Sequence, residues 1–311
     1  MRPTIEVFKT NKMKTSFIKP RVLLLMLTLI CGFSIFAQDV DEPSKEVTTK
    51  KVKPVKNTFE SIWIIDNQTV LVPMKGTFET DIMHRFGTVK NGYEDFWGFF
   101  APSNIRLGFN YVPLSKLMVG ASITKANMTW EGYAKYAILQ QTPGKYPVSI
   151  TYYGDIAVDS RSADNFITSS DRLMYFNQII VARKINSWFS LQVSPGYTHV
   201  NRVDGYFYEP GKYKGQMKHD HFSISTAGRF KIKESMAVIF NYDQPLTKHP
   251  TNNPYPNLAL GLELSTSAHS FQFFAGNYNY ITPSRNNYYN QNDYSKGEFL
   301  IGFNITRLWN Y

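Results

Sequence analysis

From residue 77 onward the chain is a succession of segments in which side-chain character changes at every second residue, joined by connectors that are by turns short and long. A two-residue period is the mark of a β-strand with one apolar and one polar face, because successive side chains leave opposite sides of the pleat. Twelve such segments are predicted, at about 77–86, 103–111, 117–126, 130–140, 147–158, 172–184, 187–201, 218–231, 235–243, 257–266, 270–279 and 297–309. Leu258, Leu260, Leu262 and Leu264 alternate with Ala259, Gly261, Glu263 and Ser265, and Ile105, Leu107, Phe109 and Tyr111 alternate with Arg106, Gly108 and Asn110. The segment 172–184 is ambiguous, because Asn177 and Arg183 share a parity with Leu173, Ile179 and Val181.

The connectors VPLSK, TPGKY, IN, KES and SAH are short; those holding GTVKNGYEDFWGFFAP, DSRSADNFITSS, RVDGYFYEPGKYKGQM, DQPLTKHPTNNPYP and YITPSRNNYYNQNDYSK are long. Only the connector near Ala126 to Thr129 is short where a long one is due. Short turns on one rim and long loops on the other describe a transmembrane antiparallel up-and-down β-barrel, with turns periplasmic and loops extracellular. An even strand count puts both termini on the periplasmic side. Lipid supplies no hydrogen bonds, so twelve strands can span it only as a closed ring.

The two ends of the chain agree with that reading. Residues 13–37, MKTSFIKPRVLLLMLTLICGFSIFA, have a basic start, an apolar run and Ala37 before a polar stretch, which predicts a signal peptide, Sec-type export and cleavage near Ala37 with a start at Met13. An N-terminal anchor is the competing reading of the run, and Cys31 lacks the preceding small residue of a lipoprotein site. At the other end, Phe303, Ile305, Trp309 and Tyr311 form an apolar stripe closing on an aromatic residue, expected to meet the barrel-assembly machinery and the outer-membrane lipid. Arg307 interrupts the stripe and is tolerable only near the interface. Residues 38–56 are charged and lack aromatics, as a flexible periplasmic lead-in would. The barrel domain then occupies 57–311, within which residues 57–70, NTFESIWIIDNQTV, fit an extra strand, a short helix or an inward plug.

Composition removes several classes. Cys31 is the only cysteine, so disulfide frameworks and thiolate metal sites are excluded from the mature chain. The formal charge of +10 falls to about +5 once residues 1–37 are set aside, too little to argue for nucleic acid. No cofactor motif is present.

The polar parity defines a lumen lined by Glu79, Asp81, Arg85, Arg106, Glu131, Lys135, Asp155, Arg229, Lys231 and Glu263. Opposed charges across a wide lumen would pass small hydrophilic solutes; in a tight one they would pair and close it. His219 and His221, two apart in KHDHF, are expected on one side of the eighth strand as weak metal candidates, with His199 on the opposite parity of its neighbour. No Ser/His or Asp/His spacing suggests a hydrolase.

The stretch MHRFG at 83–87, followed by FWGFFAPSNIRLGFNYVPLSKLMVGAS, YAKYAILQQ, PVSITYYGDIA, HSFQFFAGN and IGFNITR, resembles an uncharacterised domain-of-unknown-function family of outer-membrane β-barrel proteins of Gram-negative bacteria. The resemblance covers about residues 57–311 and implies fold and location, with no activity attached. The expected function is a non-catalytic pore or structural barrel. A surface binder using the aromatic loops GYFYEPGKYKG and SRNNYYNQNDY to hold a small solute or extracellular ligand is the alternative, and an outer-membrane hydrolase a third.

Overall fold

A computed structural model describes residues 52–310; the expected signal peptide, most of the lead-in and Tyr311 lie outside the described residues. Sixteen strands are present among the described residues. Two short ones, β1 (Trp63–Ile64) and β2 (Asn67–Gln68), precede the barrel. Its strands are β3 (Thr77–Thr88), β4 (Asn104–Leu114), β5 (Leu117–Thr124), β6 (Thr129–Leu139), β7 (Ser149–Asp159), β8 (Leu173–Lys184), β9 (Phe189–Val200), β12 (Asp220–Lys233), β13 (Met236–Pro245), β14 (Asn257–Ser265), β15 (His269–Gly276) and β16 (Leu300–Asn310). Neighbours in sequence pair antiparallel, β9 pairs β12 across a protruding hairpin of β10 (Gly205–Glu209) and β11 (Lys212–Gly215), and β16 pairs β3 to shut the ring. All twelve predicted segments are barrel strands, and no described helix is long and apolar enough to cross a membrane.

Alternation sorts the side chains as the pleat requires. On β14 Leu260, Leu262 and Leu264 are exposed while Ala259 and Glu263 are buried; on β4 Ile105, Phe109 and Tyr111 point outward and Arg106 and Asn110 inward. The outward set leaves large apolar side chains exposed around most of the ring, and lipid is the medium that covers such a surface at no cost. At the short-turn rim aromatics gather: Phe189 stacks on Phe230 at 4.3 Å, Trp188 lies against both, and Phe78 touches Phe109 and Trp309. Arg307 sits in this girdle, exposed, with its guanidinium 4.7 Å from the Trp309 ring centre. Its position at the end of β16 lets the stem reach water.

The inward face is less uniformly polar than expected. Met83, Met118, Phe176, Ile180, Ile239 and Phe274 all point inside, and they pack on Phe59, Ile62, Trp63, Ile64, Ile65 and Val70 from the N-terminal segment. On β8 the ambiguity resolves in that way: Phe176 and Ile180 turn in, while Asn177 turns out and accepts a hydrogen bond from the Tyr152 hydroxyl at 2.5 Å.

Candidate functional site

Residues 61–70 are buried without interruption, because the segment is a hairpin standing inside the barrel. Of the three readings of NTFESIWIIDNQTV, the inward plug is the one observed, built from a two-rung ladder of β1 and β2. Its two-residue turn is Ile65–Asp66, and Ile65 holds a left-handed φ of 56°, strained for a β-branched residue. The hairpin rises from the short-turn rim and returns to it. Val55 N–H donates to the Gln141 carbonyl and Lys184 Nζ to the Lys56 carbonyl on the way in, and Gly76 N–H donates to the Val112 carbonyl on the way out.

A two-stranded ladder leaves its outer backbone groups without partners, and inside a barrel they need them. Side chains of the wall supply these. Gln272 accepts from Ile65 N–H at 2.9 Å and donates to the Trp63 carbonyl at 2.8 Å; Asn304 donates to the Ile65 carbonyl at 2.6 Å; Gln192 donates to the Gln68 carbonyl at 2.9 Å and Thr151 to the Val70 carbonyl at 3.0 Å. Asn67 donates to Asp243 at 2.8 Å, and at the tip Asp66 is ion-paired with Arg85, both side chains at most 2% exposed.

The predicted lumen charges are inside, and most are paired. Arg106 bridges Asp81 and Glu131, lies over the Trp63 ring at 4.7 Å, and leaves Ser122 to donate to Glu131 at 2.5 Å. Arg229 holds Glu263 at 2.6 Å and reaches Glu60 of the hairpin at 3.9 Å. Lys135 donates to Gln68 at 2.8 Å and to the Thr69 carbonyl at 3.2 Å, Glu79 is buried, and Asp155 accepts from the Tyr153 hydroxyl at 3.3 Å. Lys231 departs from the set: it lies at the short-turn rim, partly exposed, paired with Glu234. Of the C-terminal stripe, Phe303 and Ile305 lie on the outward parity of β16 and Trp309 in the girdle.

A second insert descends from the long-loop rim. The β15–β16 connector carries a short helix, α1 (Pro283–Tyr289), whose residues Pro283 to Tyr288 are buried within the mouth. Asn286 donates to Asp66 at 3.1 Å, so the two inserts meet at the hairpin tip. The loop SRNNYYNQNDY is therefore not an exposed aromatic surface: Tyr288 is 1% exposed. By contrast Phe207, Tyr208 and Tyr213 of the β10–β11 hairpin stand in solvent.

The histidine pair also differs from expectation. His219 lies just before β12, exposed and stacked beside His199 at 6.1 Å, whereas His221 is fully buried and faces His249 of the 246–256 loop, with His221 Nδ1 2.9 Å from His249 Nε2. His219 lies in a bend outside the strand, its Nδ1 2.6 Å from the Val200 carbonyl oxygen, so the period of the pleat does not set its direction. His249 Nδ1 accepts from Lys218 N–H at 2.9 Å, so in its neutral form the proton sits on Nε2 and is donated to His221. Burial and the neighbouring Lys218 push His249 down to about 4. Among the described residues no group of three or more His, Cys, Asp or Glu is arranged to hold a metal. Neither His249 nor Arg285 of α1 was picked out by sequence pattern, since both lie in long loops whose inward folding carries no periodic signal.

No curated protein is significantly similar to the chain. Solved structures similar to it include the NanC porin (9% identity, TM-score 0.45, covering 75% of this chain and 99% of that one). An outer membrane channel from Pseudomonas putida F1 (9%, 0.44, 77% and 97%) and outer membrane phospholipase A from Escherichia coli (13%, 0.37, 78% and 96%) are further examples. A porin, a channel and a phospholipase share this likeness, so it carries no activity to this chain. The family defined as a membrane bound beta barrel domain (DUF5777) matches residues 59–309, a span that takes in both hairpin strands and all of the barrel but the last residue of β16. The chain is a member of that membrane bound beta barrel family.

Proposed function

We propose that this protein is a non-catalytic outer-membrane barrel acting as a stoppered pore, whose N-terminal hairpin is the stopper. The observation that carries the reading is the manner of docking. The hairpin enters and leaves by one rim, and beside its apolar packing it is held by hydrogen bonds with polar wall side chains, by the buried tip ion pair of Asp66 with Arg85 and by the longer one of Glu60 with Arg229. Withdrawn toward the periplasm, it would leave Arg85, Arg106, Glu131, Lys135 and Gln272 facing water, a surface suited to small hydrophilic solutes moving by diffusion. On β8, β9 and β12 the inward Gln178, Ser194, Thr198 and Ser223 carry polar side-chain atoms with no partner among the described residues, the pattern of a wall made to be wetted.

The proposal places both termini in the periplasm, after Sec-type export and cleavage near Ala37, with the β16 stripe of Phe303, Ile305 and Trp309 and the terminal Tyr311 presented to the assembly machinery. The even number of barrel strands and the hairpin's footing on the short-turn rim support that orientation. The exposed aromatics of the β10–β11 hairpin support a second role, contact with a ligand or partner outside the cell.

Conductance in planar bilayers tests the reading. The full chain is expected to be silent or to open rarely, and a variant lacking residues 57–72 to show a long-lived open level. A deletion variant that migrates as a folded, heat-modifiable barrel and yet stays silent refutes the stopper.

A further inference from the structure

Between the long loops, at the mouth opposite the hairpin's entry, lies a cavity of about 440 Å³ walled by Arg161, Arg172, Arg202, Arg285, Phe166 and Tyr289. Its four guanidiniums are not equivalent. Arg161 makes a doubled contact with Asp159 at 2.9 and 2.7 Å, and Arg202 reaches Asp204 at 3.3 Å and the Asn165 carbonyl. Arg172 has no carboxylate partner among the described residues; it donates to the Asp159 and Arg161 carbonyls at 2.9 and 2.7 Å and stacks on Phe166 at 4.3 Å. Arg285 is 4% exposed, and its Nε has no acceptor among the described residues. A permanently charged group is there held out of water beside an open space, with no ion-pair partner among the described residues.

The cavity also contains acceptors. Asp164 accepts from the nearby Ser162 hydroxyl, and Asp204 is largely exposed beside Arg202. Guanidiniums lacking carboxylates, carboxylates able to accept hydroxyls, and aromatic rings at the rim together match a molecule bearing one carboxylate and several hydroxyl groups. We infer that this cavity is a binding site for a small sugar acid, with Arg285 and Arg172 taking its carboxylate and the Asp side chains its hydroxyls. The inference goes beyond the stopper and does not depend on hairpin release, since the site lies on the other mouth.

Calorimetric titration of the full barrel in detergent with glucuronate, glucose and inorganic phosphate tests it. Glucuronate is expected to bind saturably, glucose not at all, and phosphate at least tenfold more weakly. Arg285→Gln is expected to weaken glucuronate at least tenfold, with partial recovery in Arg285→Lys. Arg172→Gln, at a partly exposed position, gives the same reading should Arg285→Gln fail to form a heat-modifiable barrel. Absence of saturable glucuronate binding, equal binding by the folded variants, or phosphate binding as tightly as glucuronate overturns the assignment.

Discussion

Replacing Asp66 by Asn removes one charge from the hairpin tip while keeping its size and an acceptor for Asn286. In the docked state Arg85 would then be buried without its counter-charge, and breaking such a pair costs about 3–5 kcal/mol. The lower end applies, because Arg85 still donates to the His84 carbonyl at 2.8 Å, the Phe303 carbonyl at 3.2 Å and Asn304 at 2.9 Å, and stays over the Phe274 ring at 4.4 Å. In the undocked state the lumen is wet and Arg85 is solvated in either background. About 3 kcal/mol of lost docking free energy corresponds to a roughly 150-fold larger undocked fraction. Ser61 is 3% exposed within the hairpin, and Cys31 is the only native cysteine, so a Ser61→Cys variant refolded from residue 38 onward reports undocking by its rate of reaction with a charged maleimide. Where reclosing outpaces labelling, that rate follows the undocked population. The expected acceleration in Asp66→Asn is about 150-fold, and Arg85→Met should accelerate it too. The double variant, with both charges gone, should label more slowly than either single one. Rates within threefold of the parent, or simple additivity, would show that the ion pair does not hold the hairpin.

Two further outcomes follow from the geometry. Leu260→Arg places a cation on the lipid face of β14, where the midplane penalty is about 2–4 kcal/mol, and urea unfolding in lipid vesicles should fall by that amount; an unchanged midpoint would mean that Leu260 does not face hydrocarbon. The 246–256 loop should loosen in acid. His249 is held down to about 4 from its ordinary 6.5, so the open loop binds more protons than the docked one between those values, and docking weakens as pH falls through that window and is unaffected above about 7. After allowance for solvent screening the loss is about 1 kcal/mol, read as a roughly fivefold rise in protease nicking of the loop from pH 7.5 to 4.5 that His249→Gln abolishes.

The barrel was legible in the chain because a lipid-facing wall enforces a strict two-residue period. Leu258 to Ser265 displays it without a break, and the location of every barrel strand was recoverable. The hairpin was not, because SIWIID has the composition of a strand and its hydrogen bonds go to side chains such as Gln272 and Asn304 more than 200 residues away. A signal for it existed on the wall. Met83, Phe176, Ile180 and Phe274 are apolar residues on the inward parity, and in a water-filled barrel they would have no reason to be there. The charged positions could be placed by parity, but their partners could not: Arg106 joins Asp81 on one neighbouring strand and Glu131 two strands away, contacts fixed by the register between strands. Arg285 and His249 were silent for another reason, since a loop that folds back into its own mouth leaves no rhythm in the residues that do so.

The hairpin is joined to β3 by only residues 69–76 and has both feet on one rim. An undocked hairpin would thus remain leashed at the opening from which it came, at an effective concentration in the millimolar range set by that short tether. Reclosing is then a one-molecule event needing no threading of a free end, and a separate peptide copy of residues 57–72 would compete for the wall only when supplied at comparable millimolar amounts.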